Sequence, residues 1–375
     1  MSDTPFEPAM LADIRRQAAV LDGLLARMRE FHAIGREHLR PGPDGRLFAF
    51  GCGDGWFAAN AMGPVAGPAF GLPLVPVTSL DMLLRHARTA TSSDRAIAIS
   101  MSGTVDRTIA AGAALRDSGA GYVTLANEDG ARLGAVAVAV ASLQVPDVAA
   151  FLTGTARYSA TVLGLMMLIE GAAQAAGTEP PARCAGPDMQ RLIAALPAVI
   201  AQAEAVLGQV CREVADRGFG GVRVLGAGSD WATAEYGAAK LVKVTTAPVW
   251  AGEIEEYAHS QFWSSRSDEL VVLLASSPEV ARLADNTAAA LATAGQSTLA
   301  IESAGVPVSS ATYRLTLPRT PSWLSPLLTP APLQVLAYTL ALATGFDPNR
   351  SQDQADPKRF LAAQLLSRRC ELAAA

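Results

Sequence analysis

At 375 residues the chain exceeds the roughly 100–200 residues of an ordinary single domain, so two domains are expected. Half of its residues are hydrophobic, 17% are charged and the mean hydropathy is +0.24, which excludes a disordered chain. A net charge of −5 and a pI near 5.5, with no basic run longer than Arg15-Arg16 or Arg368-Arg369, exclude a nucleic-acid footprint.

The opening Met1-Ser2-Asp3-Thr4-Pro5 lacks a basic stretch followed by an apolar one, so no export signal is expected. Residues 10–31 place Leu11, Ile14, Leu21, Leu24 and Met28 at mostly helical spacing, an amphipathic helix ahead of the first core. From Arg46 the pattern changes to short apolar runs at 47–50, 74–77, 96–100 and 122–126, separated by helix-length segments. Such alternation predicts a parallel sheet with crossover helices. Helical periodicity returns over 151–175, and the breaker cluster Gly177-Thr178-Glu179-Pro180-Pro181, with Gly186-Pro187, marks a linker.

After a helix over 189–214 the pattern repeats: strands at 222–226, 270–276, 298–302 and 313–317, with helices near 231–242 and 280–294. Residues 324–345 are apolar enough to suggest a membrane span, but Pro326, Pro330 and Pro332 favour a buried helix starting after Pro332, and no membrane partner is expected. The expected organisation is a helical segment at 1–45, a first α/β domain at 46–176, a linker and connecting helix at 177–216, a second α/β domain at 217–346 and a tail at 347–375. Cys52, Cys184, Cys211 and Cys370 show neither CxxC nor Cys/His ligand spacing, so no metal site is expected and a reducing cytoplasm fits.

Each half opens with a strand, a glycine turn and a helix, in Gly51-Cys52-Gly53-Asp54-Gly55 and in Gly226-Ala227-Gly228-Ser229. Such turns expose amides at a helix N-terminus, where anionic groups are favoured, although close packing alone also produces them. The sharper feature is Ser100-Met101-Ser102-Gly103-Thr104-Val105, where hydroxyls and free amides follow a buried strand and make a neutral phosphate cradle. The bland alternative is that Ser102 or Thr104 caps the next helix.

The Ser100–Val105 segment resembles the S-x-S-G-E-T phosphate loop of the sugar isomerase (SIS) domain. Met10-x-x-Asp13-Ile14-x-x-Gln17 and Pro332-Leu333-Gln334-Val335-Leu336-Ala337-Tyr338 are similar to stretches of the isomerase half of glucosamine-6-phosphate synthase. Gly237-Ala238-Ala239-Lys240-Leu241, followed by Gly252-Glu253-Ile254-Glu255-Glu256-Tyr257-Ala258-His259, resembles its G-A-L-K-L-K-E…G-E-L-K-H-G. The chain is thereby identified as similar to the double-SIS proteins, which include stand-alone fructosamine-6-phosphate deglycases and amino-sugar phosphate deaminases. Two tandem three-layer α/β/α sandwiches are implied.

The resemblance places Glu256 on the family's acidic position and His259 on the histidine that assists ring opening, reaching into the neighbouring subunit; a homodimer is implied. An imidazole beside a carboxylate suits that proton transfer, whereas His32, His38 and His86 lie on expected helices with no partner pattern and read as structural. Three departures accompany the matches. Lys243 stands where the family carries its glutamate base, and could act as base, nucleophile or anion-binding cation if it is not simply a solvated surface lysine. Val105 replaces the threonine that closes the phosphate loop, and Gly55 replaces a serine of the first turn. At the carboxy end Asp353-Gln354-Ala355-Asp356-Pro357-Lys358-Arg359 replaces R-N-L-A-K, with Lys358 as the nearby candidate lysine.

The expectation is therefore an enzyme acting on an open-chain sugar, phosphorylated or amino-substituted, by C1/C2 proton transfer: isomerisation, deamination or deglycation, with no cofactor. Glu256, His259 and Lys243 would be catalytic; Gly53, Asp54, Gly55, Ser100, Met101, Ser102, Gly103, Thr104, Val105 and Lys358 would bind substrate. The alternatives are a non-catalytic sugar-phosphate-binding regulator, or an isomerase retuned to a non-phosphorylated or sulfonated sugar.

Overall fold

The computed structural model describes residues 8–129, 131–149, 153–349 and 357–367. The chain begins with α1 (Ala9–Arg15), α2 (Gln17–Ala26) and α3 (Met28–His38). The first sheet region follows as β1 (Leu47–Gly51), α4 (Asp54–Phe70), β2 (Leu74–Thr78), α5 (Ser79–Asp81), β3 (Arg95–Ile99) and α6 (Asp106–Asp117). It closes with β4 (Gly121–Ala126), α7 (Ala131–Gly134), β5 (Ala139–Ser142) and α8 (Ala156–Ala175). The second begins with α9 (Pro187–Asp216), β6 (Gly221–Gly226), α10 (Ser229–Thr245), β7 (Val249–Glu253), α11 (Ile254–His259), β8 (Glu269–Ala275) and α12 (Pro278–Thr293). It ends with β9 (Ser297–Ser303), β10 (Tyr313–Leu317), α13 (Ser325–Leu328), α14 (Pro330–Ala343) and α15 (Pro357–Ser367).

Both sheets are five-stranded, wholly parallel and identical in topology: β2-β1-β3-β4-β5 and β7-β6-β8-β9-β10. Central strands such as Leu47–Gly51 and Glu269–Ala275 are buried along their whole length, as parallel strands covered on both faces must be. Phe48, Phe50, Leu115 and Tyr122 anchor one core; Leu225, Tyr257, Leu273 and Leu291 anchor the other. The unit built on the second sheet also takes in residues 8–18, 147–149 and 153–155 from the first half of the chain. Met10 and Ile14 are fully buried there, and buried Gln17 donates to Gln334 Oε1 at 2.8 Å.

In each unit an arginine and a carboxylate lace the central strand pair at the end where the strands begin. Burial alone would raise the Asp94 carboxyl, but the Arg46 guanidinium and the amides of Thr91 and Arg46 outweigh it and hold the group down at about 2. The counterpart is Arg223 on β6, 2.6 Å from Glu269 at the start of β8, both buried.

All eight expected strands are present, and two more, β5 and β7, complete the sheet edges. Their sequences, Ala139-Val140-Ala141-Ser142 and Val249-Trp250-Ala251-Gly252-Glu253, carry small or polar residues that give no clear period-two signal. The single N-terminal helix expected over 10–31 is instead broken at Arg16 and Arg27. The helix expected after Pro332 begins at Pro330, because prolines in a first turn cost no intrahelical bond. The helix expected from residue 151 begins at Ala156; Phe151 itself lies outside the described residues, as do residues 353–356 and Cys370. Two helical stretches, Pro187–Asp216 and Ser322–Ala343, have the length and apolarity to cross a membrane, and the second is 83% buried within the fold as a core helix.

The repeat extends to backbone angles: Gly53 has φ 53° and ψ −123°, and Gly228 has φ 57° and ψ −124°. No other atom stands within 4 Å of a Cβ built at either position, so only backbone strain opposes a side chain. Gly53→Ala and Gly228→Ala should each cost about 1–3 kcal/mol in urea unfolding, by equal amounts; a cost at one position only would contradict their equivalence.

Candidate functional site

In an open α/β sheet the strand order reverses at one point, and the crevice there lies outside the carboxyl ends of the two strands. In the first sheet that point falls between β1 and β3. The turn after β1 supplies Gly53, Asp54 and Gly55 at the start of α4, and the loop after β3 supplies Ser100 to Val105 ahead of α6. Nine of the ten expected substrate-binding residues are therefore brought to one place: Gly53, Asp54, Gly55, Ser100, Met101, Ser102, Gly103, Thr104 and Val105. Lys358, the tenth, is an exposed residue at the start of α15.

The loop after β3 is held by its own backbone. Gly103 N–H donates to Ser100 O at 3.1 Å, and Asn127 N–H to Met101 O at 3.1 Å. Ser102 Oγ and Thr104 Oγ1 stand 2.8 Å apart, and Ser102 Oγ also accepts from Thr104 N–H. Neither hydroxyl caps α6: the residue at the capping position is Val105, which has no acceptor. Gly53 likewise gives α4 no side-chain cap. Two helix N-termini thus converge on the crevice without side-chain caps, and Ser100 Oγ, on a residue 5% exposed, has no hydrogen-bond partner. A Cβ at Gly55 would lie 2.9 Å from Ile99 O, so a serine there would crowd the strand end.

The equivalent place in the second sheet lies between β6 and β8. Asp230, in the first turn of α10 at the position matching Gly55, is 1% exposed and accepts from Ser276 N–H at 2.9 Å. Ser277 caps α12 through Val280 N–H. Gly228 gives α10 no side-chain cap, as Gly53 gives α4 none, so the two sheets differ here in Asp230 and in the Ser277 cap of α12. Burial raises the Asp230 carboxyl, the Ser276 amide counteracts only in part, and Asp230 Oδ1 has no partner.

The three expected catalytic residues lie in the unit built on the second sheet. Lys243 is half-buried in the last turn of α10, where a cation also complements the helix dipole. Glu253 caps α11, accepting from the amides of Glu255 at 2.8 Å and Glu256 at 2.9 Å, and Glu256 itself is exposed. His259 closes the same helix with its side chain 68% exposed, and its Nε2 stands 3.2 Å from Glu255 Oε1. The carboxylate that orients His259 is therefore Glu255, four residues back on the same face, rather than Glu256. The other histidines are structural: His32 pairs with buried Glu170 at 3.2 Å, His86 packs on Phe48 and His38 lies 3.7 Å from Glu37.

Lys240, passed over in the sequence, is fully buried one turn before Lys243, with Nζ 4.6 Å from the centre of the Tyr236 ring. Tyr236 Oη accepts from Gln334 Nε2 at 2.8 Å, and Gln334 accepts from Gln17, so α2, α10 and α14 share one buried polar network. A lysine set between apolar neighbours in Ala238-Ala239-Lys240-Leu241, four residues after a tyrosine, was the available signal. Asp230 and Glu255 were legible only through the repeat and through helical spacing. Among the described residues no group of three His, Cys, Asp or Glu side chains gathers to hold a metal.

Residues 222–344 match the family model of the SIS domain. No curated protein matches the sequence. Among solved structures the chain is similar to the C-terminal domain of glucosamine-fructose-6-phosphate aminotransferase from Francisella tularensis: TM-score 0.76, 14% identity, covering 93% of this chain and 100% of that one. Glucosamine-6-phosphate deaminase from Thermotoga maritima is similar at TM-score 0.69 and 16% identity, over 92% of this chain and 97% of that one. Tagatose-6-phosphate ketose/aldose isomerase from Escherichia coli is similar at TM-score 0.70 and 16% identity, over 93% and 97%. At these identities the likeness concerns the fold.

A carboxyl raised by folding contributes stability below its unfolded pKa and loses it as pH rises through the folded value. Asp230→Asn should therefore gain melting temperature relative to wild type as pH rises from about 4 to 8; a difference independent of pH would show that Asp230 is not held in this way.

Proposed function

We propose that this chain, whose residues 222–344 form a SIS domain within a fold of two such sheets, binds an open-chain sugar bearing a terminal oxyanion and moves a proton between C1 and C2. The observation that carries the reading is the crevice between β1 and β3, where α4 and α6 begin without side-chain caps and Ser100 Oγ is buried without a partner. Oriented amides and hydroxyls at that place suit a phosphate-like group. The names of the similar structures, which act on or form hexose phosphates, support the same substrate class.

Ring opening requires the proton of the anomeric hydroxyl to leave while the ring oxygen gains one. His259, oriented by Glu255, performs that exchange in this proposal, acting on the neighbouring subunit of a homodimer as the family resemblance implies. A base then removes the proton from the carbon beside the carbonyl and returns it to the adjacent carbon through an enediol. In this proposal Lys243, where the family resemblance puts a glutamate base, does this; in a deamination or deglycation the amine then leaves with addition of water. Lys240, fully buried one turn earlier on the same helix, lies over the Tyr236 ring.

Lys243 in place of a carboxylate also favours a second reading, a sugar-phosphate-binding regulator without turnover. Proton NMR of hexose 6-phosphates and hexosamine 6-phosphates incubated with the protein in D2O separates the two. The enzyme reading expects loss of a C1 or C2 proton signal, slowed about 10²- to 10⁴-fold by His259→Ala. Binding without any exchange would sink the enzyme reading and leave the regulator.

A further inference from the structure

The Ser100–Val105 loop has one more neighbour, the short helix α7. Leu133 N–H donates to Gly103 O at 3.1 Å, and Tyr122 Oη donates to Leu133 O at 3.0 Å. Leu133 is fully buried in the core beneath, so the backbone of α7 is fastened to the loop. Arg132, the preceding residue, is left with its side chain 64% exposed, and its guanidinium donates to Asp106 Oδ1 at 3.0 Å. Asp106 opens α6 immediately after Val105, with its side chain only 13% exposed.

We propose that Arg132 is a specificity-determining residue of the sugar site, exchanging Asp106 for the substrate's terminal oxyanion and, with Asp106, favouring a terminal group of a single negative charge. The proposal rests on the sugar-binding reading above and deepens it. The Arg132 end of this pair is 64% exposed, so its guanidinium can reach a ligand that comes to the loop. A planar guanidinium matches two oxygens of a tetrahedral oxyanion at once, in place of the two hydroxyls that Val105 and Gly55 do not supply. Arg132 and Asp106 together add no net charge to the cradle. A monoanion, such as a sulfonate, replaces the Asp106 carboxylate at Arg132 without surplus charge. A phosphate dianion brings a second charge towards Asp106, and like charges at short range disfavour it.

Isothermal titration of the intact protein with a hexose 6-phosphate, its 6-deoxy-6-sulfonate and the unsubstituted hexose tests this at pH 8, where the phosphate is a dianion. In the wild type the sulfonate should bind at least as tightly as the phosphate. Arg132→Ala should weaken both charged ligands about 10- to 100-fold and leave the unsubstituted sugar unchanged, with Arg132→Lys intermediate. Asp106→Asn should shift the ratio towards phosphate by about 10-fold. Unchanged affinities in Arg132→Ala, or an unchanged ratio in Asp106→Asn, would overturn the proposal while leaving the sugar site standing. Failure of all three sugars to bind the wild type would overturn the sugar site and the proposal with it.

Discussion

A parallel sheet delivers the free amides of every following helix to one edge, and those amides must be met by something. In this protein the two sheets share one topology and nearly superimposable glycine turns, yet they meet that demand differently. In the second sheet Asp230 and Ser277 supply the acceptors from within the chain. In the first sheet Gly55 and Val105 stand at the matching places and supply no side-chain acceptor. Around a common backbone the two sheets thus differ in a few side chains at these corners.

The second sheet carries its own specialised interior. Gln17, Tyr236 and Gln334 come from three helices far apart in the chain, and each is buried. Buried polar groups are tolerated only when they are paired, so these helices are held in one mutual arrangement by the network as well as by apolar contact. Lys240, fixed over Tyr236, and the half-buried Lys243 one turn later inherit that rigidity through α10. His259 and Glu255 are the opposite case, an exposed pair on a short helix whose N-terminus is capped by Glu253.

Much of this was legible in the residues. Central strands such as 47–51 and 269–275 are buried on both faces and read as continuous apolar runs, and the glycine turns marked the strand-to-helix corners. The edge strands β5 and β7 were not legible, because they are half-buried along most of their length and their residues show no alternation. The position of α1 was hidden for another reason: periodicity reports that a helix is amphipathic but not which core it covers, and Met10 and Ile14 are buried in the unit of the second sheet. The phosphate-loop candidates were found by residue type, whereas Arg132 and Asp230 act through contacts with Asp106 and Ser276 that no spacing rule reveals.

The most direct test of ligand binding at the first crevice rather than the second is hydrogen–deuterium exchange of the backbone amides, followed by mass spectrometry with and without saturating glucosamine 6-phosphate. The account predicts slowed exchange over residues 53–57 and 102–109, with residues 228–232 and 276–281 unaffected. Protection at the second pair of segments, or at neither pair under conditions where the ligand is bound, would contradict it.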